Sequence, residues 1–144
     1  MPKVQADGLP LPLRYGAILT IVIGISMAVL DGAIANVALP TIATDLHATP
    51  ASSIWVVNAY QIAIVISLLS FSFLGDMFGY RRIYKCGLVV FLLSSLFCAL
   101  SDSLQMLTLA RVIQGFGGAA LMSVNTALIR LIYPQRFLGR GMGI

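Results

Sequence analysis

The sequence is notable first for how little charge it carries. It contains no glutamate, and Asp, Lys and Arg together make up 10% of its 144 residues, whereas an ordinary soluble domain has about 25% charged residues. Hydrophobic residues account for 59% of the chain, and the mean hydropathy is +0.96. This deficit excludes an ordinary soluble domain and indicates that the chain is solvated by lipid.

Cysteine and histidine are also scarce. Cys86 and Cys98 fall in one apolar segment, and a helix would hold them roughly 18 Å apart at its usual rise, too far for a disulfide. No third Cys and no His lies near them in the sequence, so we expect small apolar fillers and no metal site or cofactor. Because no nucleophile–base constellation is present either, the sequence does not predict an enzyme.

The formal charge of +4 does not indicate a nucleic-acid partner. A nucleic-acid binder clusters its basic residues on a polar surface, whereas here they separate long apolar runs. The distribution of charge is typical of membrane topology, and the expected surroundings are membrane lipid.

Four apolar stretches are long enough to cross a bilayer, which takes roughly 20 residues. They cover about 15–39, 54–74, 83–100 and 104–132. Because lipid cannot satisfy open backbone groups, each should be a helix. The sequence therefore predicts an all-α integral membrane protein with four transmembrane helices and the start of a fifth at 137–144. Residues 1–13 would be an N-terminal tail and 14–144 part of a membrane domain.

The basic residues predict the orientation of these spans. They precede span one, separate spans two and three, and follow span four, whereas the linkers 40–53 and 101–103 contain no Lys or Arg. The basic residues are Lys3, Arg14, Arg81, Arg82, Lys85, Arg130, Arg136 and Arg140. By the positive-inside rule, the N-terminus and the basic loops are cytoplasmic. Trp55, Tyr15 and Tyr84 near span ends are typical of interfacial anchors.

Two charges lie within the spans and away from their ends, where ionisable groups are costly and usually functional. At the helical rise, Asp31 lies roughly 24 Å from the cytoplasmic start of span one, and Arg111 roughly 10 Å from the outer start of span four. Both positions fall in the outer half of a hydrocarbon core about 30 Å thick. We expect the two side chains to face one cavity and to influence each other's charge state. The alternative is a static ion pair that joins two helices.

Small residues accompany these charges at helical spacing. Gly24, Ala28 and Ala35 share a face of span one with Asp31, and Gly115 and Gly118 share a face of span four with Arg111. Close helix packing is the expected role of the small residues. Gln114 lies on the same face of span four, and its amide could bind a substrate, water or Arg111 itself.

Two further groups of residues are candidates. Asn58 and Gln61 lie on one face near the start of span two. They either line the cavity or are exposed to water near the helix end. The loop "LGDMFGYRR" after span two could act as a cytoplasmic latch, since a salt bridge there could favour one transport state. Its candidate residues are Asp76, Gly79, Arg81 and Arg82, with Arg130, Arg136 or Arg140 as further partners.

Three stretches together resemble a known family. They read "LDGAIANVALP" at 30–40, "FLGDMFGYRR" at 73–82 and "LARVIQGFGGA" at 109–119. In this order they are similar to motifs in the N-terminal half of the major facilitator superfamily, in its drug:proton antiporter branch of about fourteen helices. The closest resemblance is to methyl viologen and quaternary-ammonium exporters of enteric bacteria.

The resemblance implies roles for individual residues. Asp31 matches an Asp associated with cation recognition or proton coupling, and Arg111 and Gly115 match a helix-four motif implicated in proton transfer. The latch motif is matched by Asp76, Gly79 and Arg81. The sequence departs from the family pattern at three positions: Ser72 stands where Gly is usual, Met77 where Arg is frequent and Tyr80 where a basic residue is common. These departures leave the latch less charged.

The expected function of the full-length protein is proton-coupled efflux of lipophilic or quaternary cations across the bacterial inner membrane. The expected partners are protons, a small cationic lipophilic substrate and the remaining helices of the same transporter. Two alternatives stay open. The chain could be a truncated, transport-inactive fragment, or the fold could serve an importer of a small metabolite, because the helix-five motif that separates the two directions is absent from the sequence.

Overall fold

The fold is a bundle of long helices. The computed structural model describes residues 11–45 and 49–132, and within these ranges it contains four helices and no strand. They are α1 (Leu11–Asp45), α2 (Pro50–Phe78), α3 (Tyr80–Ala99) and α4 (Leu104–Ile132). Each is long and apolar enough to cross a membrane, which confirms the predicted all-helical class. The predicted start of a fifth helix at 137–144 and most of the predicted tail at 1–13 lie outside the described residues.

The helices extend beyond most of the predicted spans. Hydropathy marks the part of a helix that lies in lipid, whereas the helix itself ends where capping groups or special backbone angles stop it. At the start of α2, for example, Thr49 Oγ1 accepts a hydrogen bond from Ser52 N at 3.2 Å, and Pro50 occupies the first turn. Both are common helix-start features, and they place the start before residue 54.

Glycine makes the turn between α2 and α3 possible. Gly79 has φ +94°, and its N–H donates to Gly75 O at 3.0 Å. Because positive φ is costly for L side chains, glycine suits this position. One residue therefore ends α2 and starts α3, so the two helices are joined with almost no connecting loop.

Helix α4 is the centre of the described bundle. It lies against α2 and α3 and also touches α1. About half of its most apolar stretch is buried (53%), whereas only 17% of the corresponding stretch of α1 is buried. The buried face of α4 carries small residues, including Ala119 and Ala120, which are almost fully buried. Small side chains allow this close approach of helices.

A close backbone approach joins α3 and α4. A Cβ on Gly117 would lie 2.7 Å from Phe91 N and 3.0 Å from Gly87 O, and a Cβ on Gly87 would lie 2.7 Å from Ala120 Cβ. No side chain fits there without displacing backbone. We call this contact, formed by Gly87, Phe91, Gly117 and Ala120, the α3–α4 seam. The sequence had singled out other glycines of span four.

Tyrosine 84 corrects one prediction about interfacial anchors. Its side chain is buried, and its hydroxyl donates to Thr20 O at 3.0 Å, against the open face of Gly24. It therefore packs α3 onto α1, because the missing side chain of Gly24 leaves room for the phenol. Trp55 and Tyr15, by contrast, are exposed on the bundle surface, as interfacial residues are.

Candidate functional site

Three of the predicted residues meet in one hydrogen-bonded group. Arg111 Nη1 on α4 donates to Asp31 Oδ2 on α1 at 2.6 Å and to Gln114 Oε1 at 2.9 Å. Gln114 Nε2 in turn donates to Asp31 Oδ1 at 2.9 Å. The three side chains thus form a closed ring, which we call the Asp31–Arg111–Gln114 ring. It lies toward the end of the bundle where α1 ends and α2 begins.

Local helix geometry explains the ring. Arg111 and Gln114 are three residues apart and therefore face the same direction from α4. Gln114 is fully buried, and the Arg111 and Asp31 side chains are 10% and 18% exposed. A buried charge is tolerated only with a partner that compensates it. The ring provides this compensation, while Asp31 remains the most accessible of its members.

Helix α3 adds two groups that the sequence did not single out. Gln114 Nε2 donates to Ser95 Oγ at 2.7 Å, and Cys98 Sγ donates to Gln114 Oε1 at 3.7 Å. Cys98 was expected to be a plain apolar filler, and the structure instead places its thiol against a polar side chain. The available signal was the pair Ser94 and Ser95 within an apolar run, with Cys98 one turn later on the same face. Cys86 is exposed.

Helix α2 contributes an aromatic ring. The Arg111 Cζ atom lies 5.8 Å from the centroid of the Tyr60 ring, within the range of a cation–π contact. Tyr60 is buried, and neither its hydroxyl nor Arg111 Nε has a hydrogen-bond partner in the described part of the chain. All four helices therefore contact the Asp31–Arg111–Gln114 ring or contribute to it. The sequence had pointed to Asn58 and Gln61, on either side of Tyr60.

A small cavity opens beside Arg111. Its volume is about 30 Å³, room for about one or two water molecules. It is lined by Gly32, Ala35, Asn36, Val57, Tyr60, Gln61 and Arg111. Gln61 therefore shares a cavity with the Asp31–Arg111–Gln114 ring, whereas Asn58 does not line it. Both residues are exposed. Whether either residue contacts a transported molecule stays a prediction.

The other small residues of the prediction lie at helix contacts. Gly24, Ala28 and Ala35 are buried along α1, and Gly115 and Gly118 are buried where α4 meets α2. The packing interpretation of these positions is consistent with their surroundings.

The predicted latch has a different local geometry. The Asp76 carboxylate accepts a hydrogen bond from the Tyr80 hydroxyl across the Gly79 turn. Within residues 11–45 and 49–132, no ion pair joins Asp76 to Arg81 or Arg82, both of which are exposed. The phenol at position 80 thus takes the place of a cation beside Asp76. The side chain of Arg130, as well as Arg136 and Arg140, lies outside the described residues, and the latch role stays a prediction.

Comparison with known proteins identifies the family. Residues 21–144 match the profile of the Major Facilitator Superfamily. The chain belongs to this superfamily, which confirms the resemblance seen in its motifs. It is therefore part of a multi-pass membrane transporter, in a family whose members are not enzymes.

Individual relatives are consistent with this assignment. Over all 144 residues the chain is 99% identical to an uncharacterized transporter, YebQ, of Escherichia coli K12, and covers 32% of it. It is 35% identical over 131 residues to a riboflavin transporter of Clostridioides difficile, covering 91% of the chain and 29% of that relative. It is also 34% identical to a tetracenomycin C resistance and export protein of Streptomyces glaucescens, covering 99% of the chain and 26% of that relative. The chain spans about a third or less of each relative.

Proposed function

We propose that the full-length transporter exports lipophilic or quaternary cations in exchange for protons. It would do so in the bacterial inner membrane, with its N-terminus in the cytoplasm. The observation that carries this proposal is the Asp31 carboxylate, which is paired with Arg111 and Gln114 inside the bundle yet remains 18% exposed. An intramembrane carboxylate that can be reached is suited to bind either a proton or a cation.

Exchange follows from competition for one carboxylate. Arg111 keeps its charge under all ordinary conditions, so a change in the ring's net charge has to occur at Asp31. A proton or a cationic substrate can each neutralise Asp31, but both cannot do so at once. Each ligand would also weaken the Arg111–Asp31 ion pair, and it can shift the transporter between states only if it binds them unequally. Alternating access around a site near the membrane midplane would then couple the two movements.

Some of the relatives support export, and one supports the alternative of metabolite transport. A resistance and export protein is among them, as is a putative multidrug resistance protein of Salmonella newport, 40% identical over 112 residues. The riboflavin transporter supports the second candidate, transport of a small metabolite. The third candidate is a chain that is inactive without the other helices of the transporter.

The test uses the full-length Escherichia coli relative and its equivalent residues. In everted membrane vesicles, the wild type should transport ethidium and methyl viologen and release protons from an acidified lumen. Asp31→Asn should abolish both movements, because the amide cannot take up a proton at this site. Asp102→Asn, on an exposed side chain between α3 and α4, is the matched control and should transport normally.

Three outcomes would contradict parts of the proposal. Normal cation transport by Asp31→Asn would remove Asp31 from the mechanism. Transport of riboflavin but of neither cation would favour the metabolite transporter. Cation transport by the 144-residue chain expressed alone would show that the other helices are dispensable, whereas no transport is expected from so few helices.

A further inference from the structure

Tyr60 is a buried residue to which the proposed exchange assigns no role. It lies on α2 with 7% of its surface exposed, in contact with α4. Its hydroxyl has no hydrogen-bond partner among the described residues. A phenylalanine or leucine would fill such a site without leaving a polar atom unsatisfied. Because the hydroxyl makes no hydrogen bond there, any interaction of Tyr60 with the polar residues nearby has to come from its aromatic ring.

The surface of α4 is shaped around this side chain. A Cβ on Gly115 would lie 2.7 Å from the Tyr60 carbonyl oxygen, and a Cβ on Gly118 would lie 3.2 Å from the Tyr60 hydroxyl. Two glycines, one turn apart, thus bring the Tyr60 backbone against α4 and leave room for its hydroxyl. Gly115 and Gly118 thus allow Tyr60 to pack directly on the helix that carries Arg111.

The Tyr60 ring meets the part of Arg111 that the hydrogen bonds leave free. In the described residues, the guanidinium donates two hydrogen bonds to side chains, both from Nη1, to Asp31 and Gln114. The centroid of the Tyr60 ring lies 5.8 Å from Arg111 Cζ, and Arg111 Nε is buried without a hydrogen-bond partner. An aromatic face at this distance attracts a guanidinium, and more strongly where water is excluded.

We propose that Tyr60 is a positioning residue that holds the Arg111 guanidinium whenever Asp31 is occupied by a proton or a cationic substrate. Neutralising Asp31 removes the only carboxylate that compensates Arg111 in the described bundle, and a buried charge without a partner is costly. Gln114 Oε1 and the Tyr60 ring remain in place and lower this cost. Tyr60 therefore makes it easier for Asp31 to exchange its partner.

The transport part of this inference depends on the proposed function, but the electrostatic part does not. In the described residues, the titratable and charged groups around Asp31 are Arg111 on α4, Tyr60 on α2 and Cys98 on α3. Of these, only Arg111 carries charge near neutral pH in its ordinary state. How readily Asp31 exchanges its partner should thus depend chiefly on how firmly it is held by Arg111.

A double-mutant cycle in the purified full-length relative tests the electrostatic part without transport. Asp31→Asn removes the carboxylate charge, and Tyr60→Leu removes the aromatic ring. We expect the double variant to melt at a lower temperature than the sum of the single effects predicts, because Arg111 then lacks both partners. Tyr60→Phe keeps the aromatic ring, so its effect on the melting temperature and that of Asp31→Asn should be additive. The proposal would be overturned if the losses of melting temperature from Asp31→Asn and Tyr60→Leu were additive. It would also be overturned if Tyr60→Phe gave the same extra loss with Asp31→Asn as Tyr60→Leu does.

Transport kinetics provide a second measurement on variants that keep Asp31. A contact of this kind corresponds to about a twofold to thirtyfold change in an equilibrium. Tyr60→Leu should therefore raise the KM for ethidium by that factor, and it should move the pH of half-maximal efflux toward acid by about 0.4 to 1.5 units. Tyr60→Phe should have the wild-type KM and the wild-type pH of half-maximal efflux. Tyr15→Leu, at an exposed tyrosine, is the control and should behave like wild type.

The outcomes separate the inference from the proposed function. If Asp31→Asn abolishes efflux but Tyr60→Leu keeps the wild-type KM and pH profile, the role of Tyr60 is wrong and the exchange mechanism stands. If Asp31→Asn transports normally while the melting cycle is non-additive, Tyr60 does hold Arg111 but the proposed function is wrong.

Discussion

Helix α4 meets its neighbours in two different ways along its length. Near its start, Arg111 and Gln114 join it to α1 and α3 through charge and hydrogen bonds. Further along, at the α3–α4 seam, Gly117 joins it to α3 through direct backbone contact. The first contact is polar and specific in its partners, whereas the second depends on the absence of side chains.

The difference shows how one helix can combine a fixed support with a site that changes. Polar partners can be exchanged, because a proton, a cation or another side chain can replace an ion-pair partner in the same place. A seam of close-packed backbone has no such substitute, since any added atom has to displace another. We therefore expect the seam to stay closed while the ring changes its partners.

Arg111→Leu should give the largest effect, since it removes the cation from the polar contact. Breaking a buried pair by removing one partner costs about 3–5 kcal/mol, because Asp31 stays buried without compensation. The yield of folded full-length relative, measured by fluorescence-detected size-exclusion chromatography, should fall sharply. Restoring neutrality with Arg111→Leu plus Asp31→Asn should recover part of the folded yield, although not transport. No recovery in the double variant would show that the ring is held by packing rather than by charge.

Gly117→Ala should give an intermediate effect at the seam. Its Cβ would lie 2.7 Å from Phe91 N, and overpacking of this kind costs about 1–3 kcal/mol. Thermal melting in detergent should show a clearly lower midpoint, with the ethidium KM of the remaining folded protein unchanged. Gly16→Ala, where nothing lies within 4 Å of the new Cβ, is the matched control. Equal melting of the two variants would mean that the seam is not a rigid contact.

Ser95→Ala should give the smallest effect, because it removes one neutral hydrogen bond from the polar contact. Such bonds between membrane helices are worth about 0.6 kcal/mol on average, and Gln114 Nε2 keeps Asp31 Oδ1 as an acceptor. The melting midpoint should drop only slightly, and less than in Gly117→Ala. A drop in the melting midpoint larger than that of Gly117→Ala would show that α3 is an essential part of the Asp31–Arg111–Gln114 ring.

Sequence reasoning predicted the four membrane-length helices, and it placed Asp31 and Arg111 at a similar level along them, for physical reasons. Lipid excludes unsatisfied backbone, so a long apolar run has to be helical, and the fixed rise of a helix converts residue number into depth. It did not predict Tyr60, Ser95 or Cys98 as neighbours of the Asp31–Arg111–Gln114 ring, or Gly87 and Gly117 as members of a close backbone contact. In helices that are apolar on all sides, the pattern does not show which face meets which neighbour.

The helical class, the membrane environment and the similar depth of Asp31 and Arg111 were therefore determined by the sequence alone, through hydropathy and helix geometry. Only the tertiary structure decided how each helix is rotated about its axis. That rotation brings Gln114 between Asp31 and Ser95, and it places the Tyr60 ring beside Arg111. Rotation depends on how the small residues of several helices fit together at once, and no single stretch of sequence contains that information.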